Sequence, residues 1–541
     1  MRGPRALLGR LRSHWPRGLA LLVLAAAAVL DRAPDGGVRV SLFPIALNLW
    51  DPFVLDCLRH GVATAAGVAA GSLLIGVAVA SLTSRSRFRG RGALVALACG
   101  GVAIAPAFQA IAWRRLAHRY QASIASLLSD SDVNTAVYVI AELTWGATCV
   151  GLASARGLGR VDVRGLEALR LQGGGRFDLW RRCAWPAVRR DAVLAASAVF
   201  AWALFEPGAP RVLNLARTPA YQMVASILRR DAVESGRAAA LVLMAWGVVA
   251  AAHRCARLCA GREPDCAGTA GGEVERACLR RDVVAAFVTA LVAALVWGPT
   301  LAFLLDAGRV AVATSPRSAL RDVLVTRPIA NALAIGALAV FGSAVAARLL
   351  RPRAWSERGR GLPWPAVVVA AALLPHLARV LDAGDGSTSS RLAATIAAAL
   401  DVDRTPGVLL AVASTALAYA VCRPSASKQR DDAARVRRKT LLALGADPRH
   451  VRRLRRRVPW SRRALAYGVA AAAVAPGLML STSTLARPLA PAAVESARRD
   501  VRADADAALA VLIAAAVALQ AAGLLAAAQD PETALDHRVV A

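Results

Sequence analysis

Lysine is almost absent from this sequence, and so are the motifs of the commonest nucleotide-dependent and hydrolytic enzymes. Of the 67 basic residues only Lys428 and Lys439 are lysines, and neither follows a glycine-rich loop. Because a P-loop needs G-x-x-x-x-G-K-[ST] to hold phosphates, the chain is not expected to hydrolyse ATP by itself. The histidines are few and scattered, and no Ser/His/Asp triad or zinc-protease motif occurs. The sequence therefore predicts no enzyme activity and no cofactor.

The nine cysteines lack the pattern of a disulfide framework. Most lie in apolar segments or in segments predicted to be cytoplasmic, and no C-x-x-C occurs. Four of them share one linker with His253, namely Cys255, Cys259, Cys266 and Cys278. Their irregular spacing favours a flexible linker over a zinc or redox site, so no metal site is predicted.

Apolar segments alternate with arginine-rich patches along the whole chain of 541 residues. The composition is 57% hydrophobic, yet the formal net charge is +31. A nucleic-acid-binding protein would gather this charge on one soluble face, whereas here the arginines separate apolar stretches of about 20 residues, long enough to cross a bilayer. The pattern predicts an all-α polytopic membrane protein surrounded by lipid, and it excludes nucleic acid as a partner.

Apolar stretches of bilayer length predict about twelve transmembrane helices. Their approximate ranges are 15–31, 60–82, 93–113, 133–155, 190–206, 236–252, 283–304, 330–350, 363–381, 405–422, 464–485 and 507–528. Dense basic clusters fall in alternate connections, at 1–14, 83–92, 156–189, 253–282, 351–362 and 423–463. By the positive-inside rule these connections are cytoplasmic. An even number of crossings then places both termini in the cytoplasm, with the chain in the inner membrane of the cell.

The two halves of the chain resemble each other at a nearly constant offset. The matched residues are Arg229, Arg230 and Asp231 with Arg498, Arg499 and Asp500, Pro106 with Pro375, and Gly173 with Gly445. We therefore expect a first half at 1–252, a cytoplasmic linker at 253–282 and a second half at 283–541. Each half would hold six helices, and an even number makes the repeat parallel, with a pathway between the halves.

The cytoplasmic loop at 156–190 contains a predicted helical hairpin. A helix over about 163–172 would stop at Gly173, Gly174 and Gly175, and a second short helix would end before Pro186. Glu167 and Ala168 precede Gly173 by six and five residues, and Pro186 follows it by thirteen. The loop at 423–463 repeats this plan with Lys439, Gly445 and Pro459, so its contacts must differ. Glu167 could instead lie on an interfacial helix whose arginines bind anionic lipids.

The segment "EALRLQGGGRFDLWRRCAWPAVRR" resembles the EAA cytoplasmic loop of permease subunits from binding-protein-dependent ABC importers, which have the MetI-like fold. Leu169 stands in place of the second alanine. "FEPGAPRVL" and the following "TPAYQMVASILRRD" are similar to segments of fused, twelve-helix permeases for ferric iron, whose relatives carry thiamine. The likeness covers most of residues 55–530, and the second loop is a degenerate form of the first.

The resemblance implies an importer permease made of two fused MetI-like halves. Its coupling residues would be Glu167, Ala168, Gly173, Gly174 and Pro186 in the first loop, and Lys439, Gly445 and Pro459 in the second. It implies two copies of a separate ATP-binding subunit and a periplasmic or lipid-anchored solute-binding protein. Ferric iron is the leading solute, with thiamine, another metal or a polyamine as alternatives. A secondary transporter, or a degenerate scaffold without an ATPase, remains the alternative class.

Several polar residues in or near the predicted spans are candidates for a solute pathway. Glu142 lies inside a span, where an ionisable group costs about 2.5–3.5 kcal/mol on insertion scales. A pathway residue and a structural interhelical hydrogen bond are both open readings of Glu142. Gln109 and the pair His376 and Arg379 occupy matching places in the repeat, where ordinary packing polarity is the alternative. Glu206 is expected at the outer face, as a gate, a contact for the binding protein, or a helix-end residue.

Overall fold

The computed structural model describes residues 30–32, 38–40, 50–84, 104–124, 130–158, 161, 169, 171–173, 175–229, 232–261, 279–314 and 514. The predicted spans 330–350, 363–381, 405–422 and 464–485 lie outside these residues, and so does all of 507–528 except one residue. The count of twelve helices and the two-repeat layout therefore stay predictions.

The described residues are almost entirely helical. The helices are α1 (Pro52–Ser84), α2 (Pro106–Ile124), α3 (Asp130–Leu158), α4 (Arg176–Leu179), α5 (Trp185–Phe205), α6 (Gly208–Val212), α7 (Pro219–Arg229), α8 (Ala232–Ala260) and α9 (Leu279–Thr314). A π turn, Trp180–Ala184, joins α4 to α5. Two three-residue strands, β1 (Leu30–Arg32) and β2 (Val38–Val40), pair antiparallel with Asp31 opposite Arg39. The end of the predicted first helix, residues 30–31, is thus extended.

Five helical segments of the described part are long and apolar enough to cross a membrane. They are Pro52–Thr83, Asp132–Ala155, Phe177–Val212, Arg237–Ala260 and Asp282–Leu305. They coincide with the predicted spans 60–82, 133–155, 190–206, 236–252 and 283–304. The described part is therefore that of an all-helical, multi-pass membrane protein, as predicted.

The predicted span 93–113 is interrupted just before Pro106, where helix α2 begins, and residues 93–103 lie outside the described residues. Ile104 and Ala105 are not helical, and the helix then runs on to Ile124. Proline disfavours helical backbone in the residue before it but fits the first helical position, since that position needs no N–H donor. Helix α2 carries Arg114 and is not among the five candidate spans. The Nη1 of Arg114 donates to the carbonyl of Val212 at 2.6 Å, which ties α2 to α6.

The predicted helix end before Pro186 is also wrong, since helical structure is continuous from Arg176 to Phe205. The N–H of Trp185 bonds to the carbonyl of Trp180, five residues back, which makes the preceding turn a π turn. In a regular α-helix a proline removes one hydrogen bond and clashes with the carbonyl four residues earlier. The wider π turn relieves this conflict, so Pro186 lies in the first turn of α5.

The predicted linker at 253–282 is shorter in the structure. Helix α8 continues through residue 260, and α9 begins at residue 279. Both Cys255 and Cys259 are exposed on α8. Gly261 ends that helix with a φ of 68°, a left-handed conformation that glycine adopts at helix ends without steric cost.

Two hydrophobic clusters hold the described helices together. The first joins α1, α3, α5, α7 and α8 through residues such as Val68, Val150, Phe200, Val224 and Val242. The second joins α2, α3, α6 and α9 and includes Phe108, Val137, Val212 and Phe303. Helix α9, the predicted first helix of the second half, thus packs against elements of the first half.

Helices α1 and α3 approach closely at glycines. A Cβ atom built on Gly76 would lie 2.7 Å from the carbonyl oxygen of Ala147 and 2.8 Å from the nitrogen of Gly151. A Cβ on Gly146 would collide with the hydroxyl of Ser72. Small residues let helix backbones come together in membranes, where van der Waals packing drives association. This contact fixes the position of α3, which carries the buried acid described below.

Candidate functional site

The end of α5 forms a buried turn centred on Glu206. Helix α5 stops at Phe205, and Pro207 follows Glu206, whose backbone is extended. The side chain folds back so that Oε1 accepts a hydrogen bond from the N–H of Gly208 and Oε2 accepts one from that of Ala209, both at 3.0 Å. Only 2% of Glu206 is exposed. Both oxygens therefore stabilise the start of α6, which fits the helix-end reading of Glu206.

Glu142 lies on α3 and is fully buried. Among the described residues, neither of its carboxyl oxygens has a hydrogen-bond partner. Its acidic neighbour is Glu206, which lies within electrostatic range. The structure thus brings together two acids that the sequence places on separate helices, without pairing Glu142 to a base.

Gln109 joins this region from α2. The Thr144 hydroxyl on α3 contacts the Oε1 of Gln109, and it also lies 3.0 Å from the carbonyl of Ala141. The Nε2 of Gln109 is buried and lacks a hydrogen-bond partner among the described residues. Gln109, Glu142 and Glu206, together with Tyr138 and Thr144, are called the acidic cluster below.

Tyr138 fastens α3 to the last turn of α5. Its hydroxyl donates to the carbonyl of Ala203 at 2.8 Å, and its ring is buried. In an α-helix this carbonyl would accept from the N–H four residues later, but that residue is Pro207, which has none. Tyr138 therefore supplies the hydrogen that the proline cannot. Sequence reasoning missed this pairing, although a tyrosine one helical turn before Glu142 was a visible signal.

A stacked tryptophan pair supports the acidic cluster from another side. The rings of Trp145 on α3 and Trp202 on α5 lie with centroids 4.7 Å apart and planes inclined by 25°. Trp145 follows Glu142 by three residues, and Trp202 directly precedes Ala203. Offset aromatic stacking adds about 0.5–1.5 kcal/mol beyond burial of the rings. The α3–α5 contact around Glu142 is therefore tightly fixed.

The predicted coupling hairpin is described at residues 171–173 and 175–179. Gly173 has a φ of 77°, the left-handed conformation that its predicted role as a helix stop requires. Leu171 is 90% exposed and Phe177 is 71% exposed. Leu179, at the end of α4, is buried and its N–H bonds to the carbonyl of Gly175 at 3.0 Å. The described part of this loop thus exposes the apolar side chains of Leu171 and Phe177 and buries that of Leu179.

Several predicted site residues lie outside the described residues. They are Glu167, Ala168 and Gly174 in the first loop, Lys439, Gly445 and Pro459 in the second loop, and the pathway candidates His376 and Arg379. Of the first loop, Gly173 and Pro186 are described. The structure separates these two by α4 and the π turn.

His253 lies on α8 and bridges two residues instead of facing the cysteines as a ligand. Its Nε2 accepts a hydrogen bond from the Nε–H of Arg257 at 3.1 Å, and its Nδ1 lies 3.0 Å from the hydroxyl of Ser197. Since arginine can only donate, the proton of the neutral ring is on Nδ1 and points to Ser197. Within the described ranges no group of three or more His, Cys, Asp or Glu residues could hold a metal ion. Cys266 and Cys278 lie outside those ranges.

An ion pair joins the starts of α1 and α8. The Nη2 of Arg237 lies 2.7 Å from the Oδ2 of Asp51. The Oδ1 of Asp51 also accepts from the N–H of Phe53 at 2.9 Å, so the same side chain caps α1. The sequence analysis did not predict this ion pair, because an Asp directly before Pro52 indicates only a helix cap.

No model of a known protein family matches the chain, and no curated protein matches it significantly. The likeness to ABC importer permeases therefore rests on the quoted loop and turn motifs and on the repeat.

Proposed function

We propose that this chain is the permease subunit of an ABC importer, made of two fused MetI-like halves in the inner membrane with both termini in the cytoplasm. A separate ATPase, in two copies, binds the loops at 156–190 and 423–463. A periplasmic or lipid-anchored binding protein delivers the solute. Ferric iron is the leading solute, and thiamine, another metal or a polyamine are the alternatives.

The observation that carries this proposal is the exposure of two apolar side chains, Leu171 and Phe177, in the first cytoplasmic loop. Leu171 and Phe177 lie on either side of the left-handed Gly173, next to arginines at positions 181 and 182 that are also exposed. Two exposed apolar side chains beside a glycine turn give a partner an apolar surface to cover. An ATPase beneath the membrane is the partner that the motif implies.

A continuous helical segment connects this exposed surface to the buried turn of Glu206. Residues 176–205 form one helical segment, about 45 Å long at 1.5 Å per residue. One end carries Phe177, and the other leads directly into the buried turn of Glu206. A movement of the hairpin is therefore carried along a stiff element to the acidic cluster. Such a rigid connection suits a subunit that converts ATPase closure into movement of the membrane helices.

A second candidate is a secondary transporter, or a scaffold that works without an ATPase. The observation that favours it is the buried carboxyl of Glu142, which has no hydrogen-bond partner in the part of the chain that the structure describes, because ion-coupled transporters place ionisable groups within the membrane.

Isolation of the tagged chain from its own membrane separates these candidates. We expect ATP hydrolysis to co-purify with the chain, at two ATPase copies for each permease by native mass spectrometry. Phe177→Glu should abolish this association. Leu258→Glu is the matched control, because Leu258 is also apolar and 76% exposed but lies on α8. Uptake by the chain alone, driven by an ion gradient and unaffected by Phe177→Glu, would instead establish the secondary transporter.

A further inference from the structure

We propose that Cys255 and Cys259 together form a binding site for one soft monovalent metal ion that accepts two sulfur ligands, with copper(I) as the representative ion. Both cysteines are free and exposed near the end of α8. They are called the thiol pair below. The proposal concerns the chain itself and does not rest on the proposed function.

The first argument is the spacing of the two thiols. The sequence predicts a linker from residue 253, but α8 continues through Ala260, so residues 255 and 259 lie one turn apart on one face of a helix. Side chains four positions apart have Cβ atoms about 5–6 Å from each other. A metal–thiolate bond is about 2.3 Å long, so one ion holds two sulfurs up to about 4.6 Å apart. Rotation about χ1 brings the two sulfurs to that separation.

The same spacing keeps the thiol pair from closing into a disulfide. A disulfide needs Cβ atoms about 3.5–4.5 Å apart, which one regular helical turn does not allow. The last turn of α8 is held by a bond of 3.4 Å from the N–H of Gly261 to the carbonyl of Leu258, and Gly261 has the left-handed backbone of a helix end. The two side chains are therefore presented as separate thiols in helical geometry.

The number of ligands selects the kind of metal ion. Within the described ranges no group of three or more His, Cys, Asp or Glu residues could hold a metal ion. His253 does not join the thiol pair, since its two ring nitrogens lie against Arg257 and Ser197. Structural zinc sites almost always use four ligands, whereas thiolates are soft ligands that select copper(I), an ion that is stable with two of them.

The thiol pair is accessible to ions in water. Helix α8 has 29 residues and is about 44 Å long, which exceeds the hydrocarbon thickness of about 30 Å. Arg254 and Arg257 are exposed in its last two turns, as expected where a helix leaves the hydrocarbon. Each thiol gives its proton to water when its sulfur binds the ion, so copper(I) on two thiolates has a net charge of −1. Arg254, which directly precedes Cys255, offsets part of that charge.

Titration of the reduced chain in detergent with copper(I) tests the site, without oxygen and in competition with a coloured copper(I) chelator. The chain has nine cysteines, so the measured quantity is the difference in bound copper between the wild type and a variant. The double variant Cys255→Ser with Cys259→Ser should bind one copper ion fewer per chain. Both positions are exposed, so the free energy of unfolding should stay unchanged.

The matched control moves one thiol along the same face of α8. Ala251→Cys with Cys255→Ser keeps two exposed cysteine positions but separates them by eight residues, about 12 Å along the helix, too far for one ion to bridge. It should also bind one copper ion fewer. A second control, Cys266→Ser with Cys278→Ser, should bind as much copper as the wild type.

Three results would overturn the proposal. They are equal copper binding by the wild type and the double serine variant of the thiol pair, full binding after the thiol is moved to position 251, and loss of the ion in Cys266→Ser with Cys278→Ser. The titration involves no ATPase and no binding protein. Its failure therefore leaves the importer proposal standing, and failure of co-purification leaves the copper site standing.

Discussion

The hydroxyl of Tyr138 donates to the carbonyl of Ala203, the carbonyl that Pro207 leaves without its helical partner. This bond holds α3 and α5 together next to the two buried acids. Removing this bond therefore tests how strongly it stabilises the packing of α3 against α5.

We expect Tyr138→Phe to destabilise the fold, because it leaves a buried carbonyl group without a donor. The cost should be about 1–3 kcal/mol in the free energy of unfolding. Tyr221→Phe is the matched control, since Tyr221 bonds to the Oδ1 of Asn214 at an exposed position, at 3.0 Å. Denaturant unfolding in detergent micelles would compare the two. An equal loss in the free energy of unfolding for both substitutions would show that the buried Tyr138 bond stabilises the fold no more than the exposed Tyr221 bond does.

Gly76→Ala should weaken the contact between α1 and α3. The new methyl group would meet backbone atoms of Ala147 and Gly151, which cannot move aside as a side chain can. Such overpacking costs about 1–3 kcal/mol. Gly67→Ala on the same helix is the control, because a Cβ there has nothing within 4 Å. It should be neutral or stabilise by up to about 1 kcal/mol. A thermal melt in which both variants behave alike would contradict this account of the packing.

Asp51 allows the cap and the ion pair to be measured separately. Asp51→Asn keeps a side-chain oxygen for the N–H of Phe53 but removes the charge that faces Arg237, which is partly exposed. It should cost less than about 1 kcal/mol. Asp51→Ala removes both interactions and should cost about 1–2 kcal/mol. The cap contributes the difference between the two losses in the free energy of unfolding, so a loss in Asp51→Asn of more than half the loss in Asp51→Ala would mean that the ion pair outweighs the cap.

Gly173→Ala tests the shape of the coupling hairpin. Alanine at a φ of 77° costs about 1–2 kcal/mol, so the turn should relax to another conformation. We expect less ATPase to co-purify with this variant. Gly175→Ala is the control, since that glycine has ordinary φ and its nearest new contact would be 3.8 Å away, at Asp178. Full retention of the ATPase by Gly173→Ala would contradict a role for this turn in docking.

The sequence alone predicted the centres of the spans around α1, α3, α5, α8 and α9. Their apolar runs have the length that a bilayer requires, and this property does not depend on neighbouring helices. It also predicted a turn at Gly173, because a glycine after a helix allows the left-handed backbone. The helix ends were poorly predicted, as at Pro106 and residue 260, since local hydrogen bonds set them and hydrophobicity does not.

Composition and local backbone rules therefore determined the class of this protein, an all-helical multi-pass membrane protein, and marked Glu142, Gln109 and Glu206 as unusual in apolar surroundings. Only the tertiary structure decided that Glu142 and Glu206 lie within electrostatic range, that Gln109 contacts Thr144, that Glu206 accepts hydrogen bonds from its own turn, and that Glu142 has no hydrogen-bond partner among the described residues. It also decided that Pro186 lies within a continuous helix, because a π turn precedes it and no residue pattern in the sequence predicts that turn. The reason is that burial and pairing depend on how α2, α3 and α5 pack against each other, and residues far apart in the chain carry no local signal of that contact.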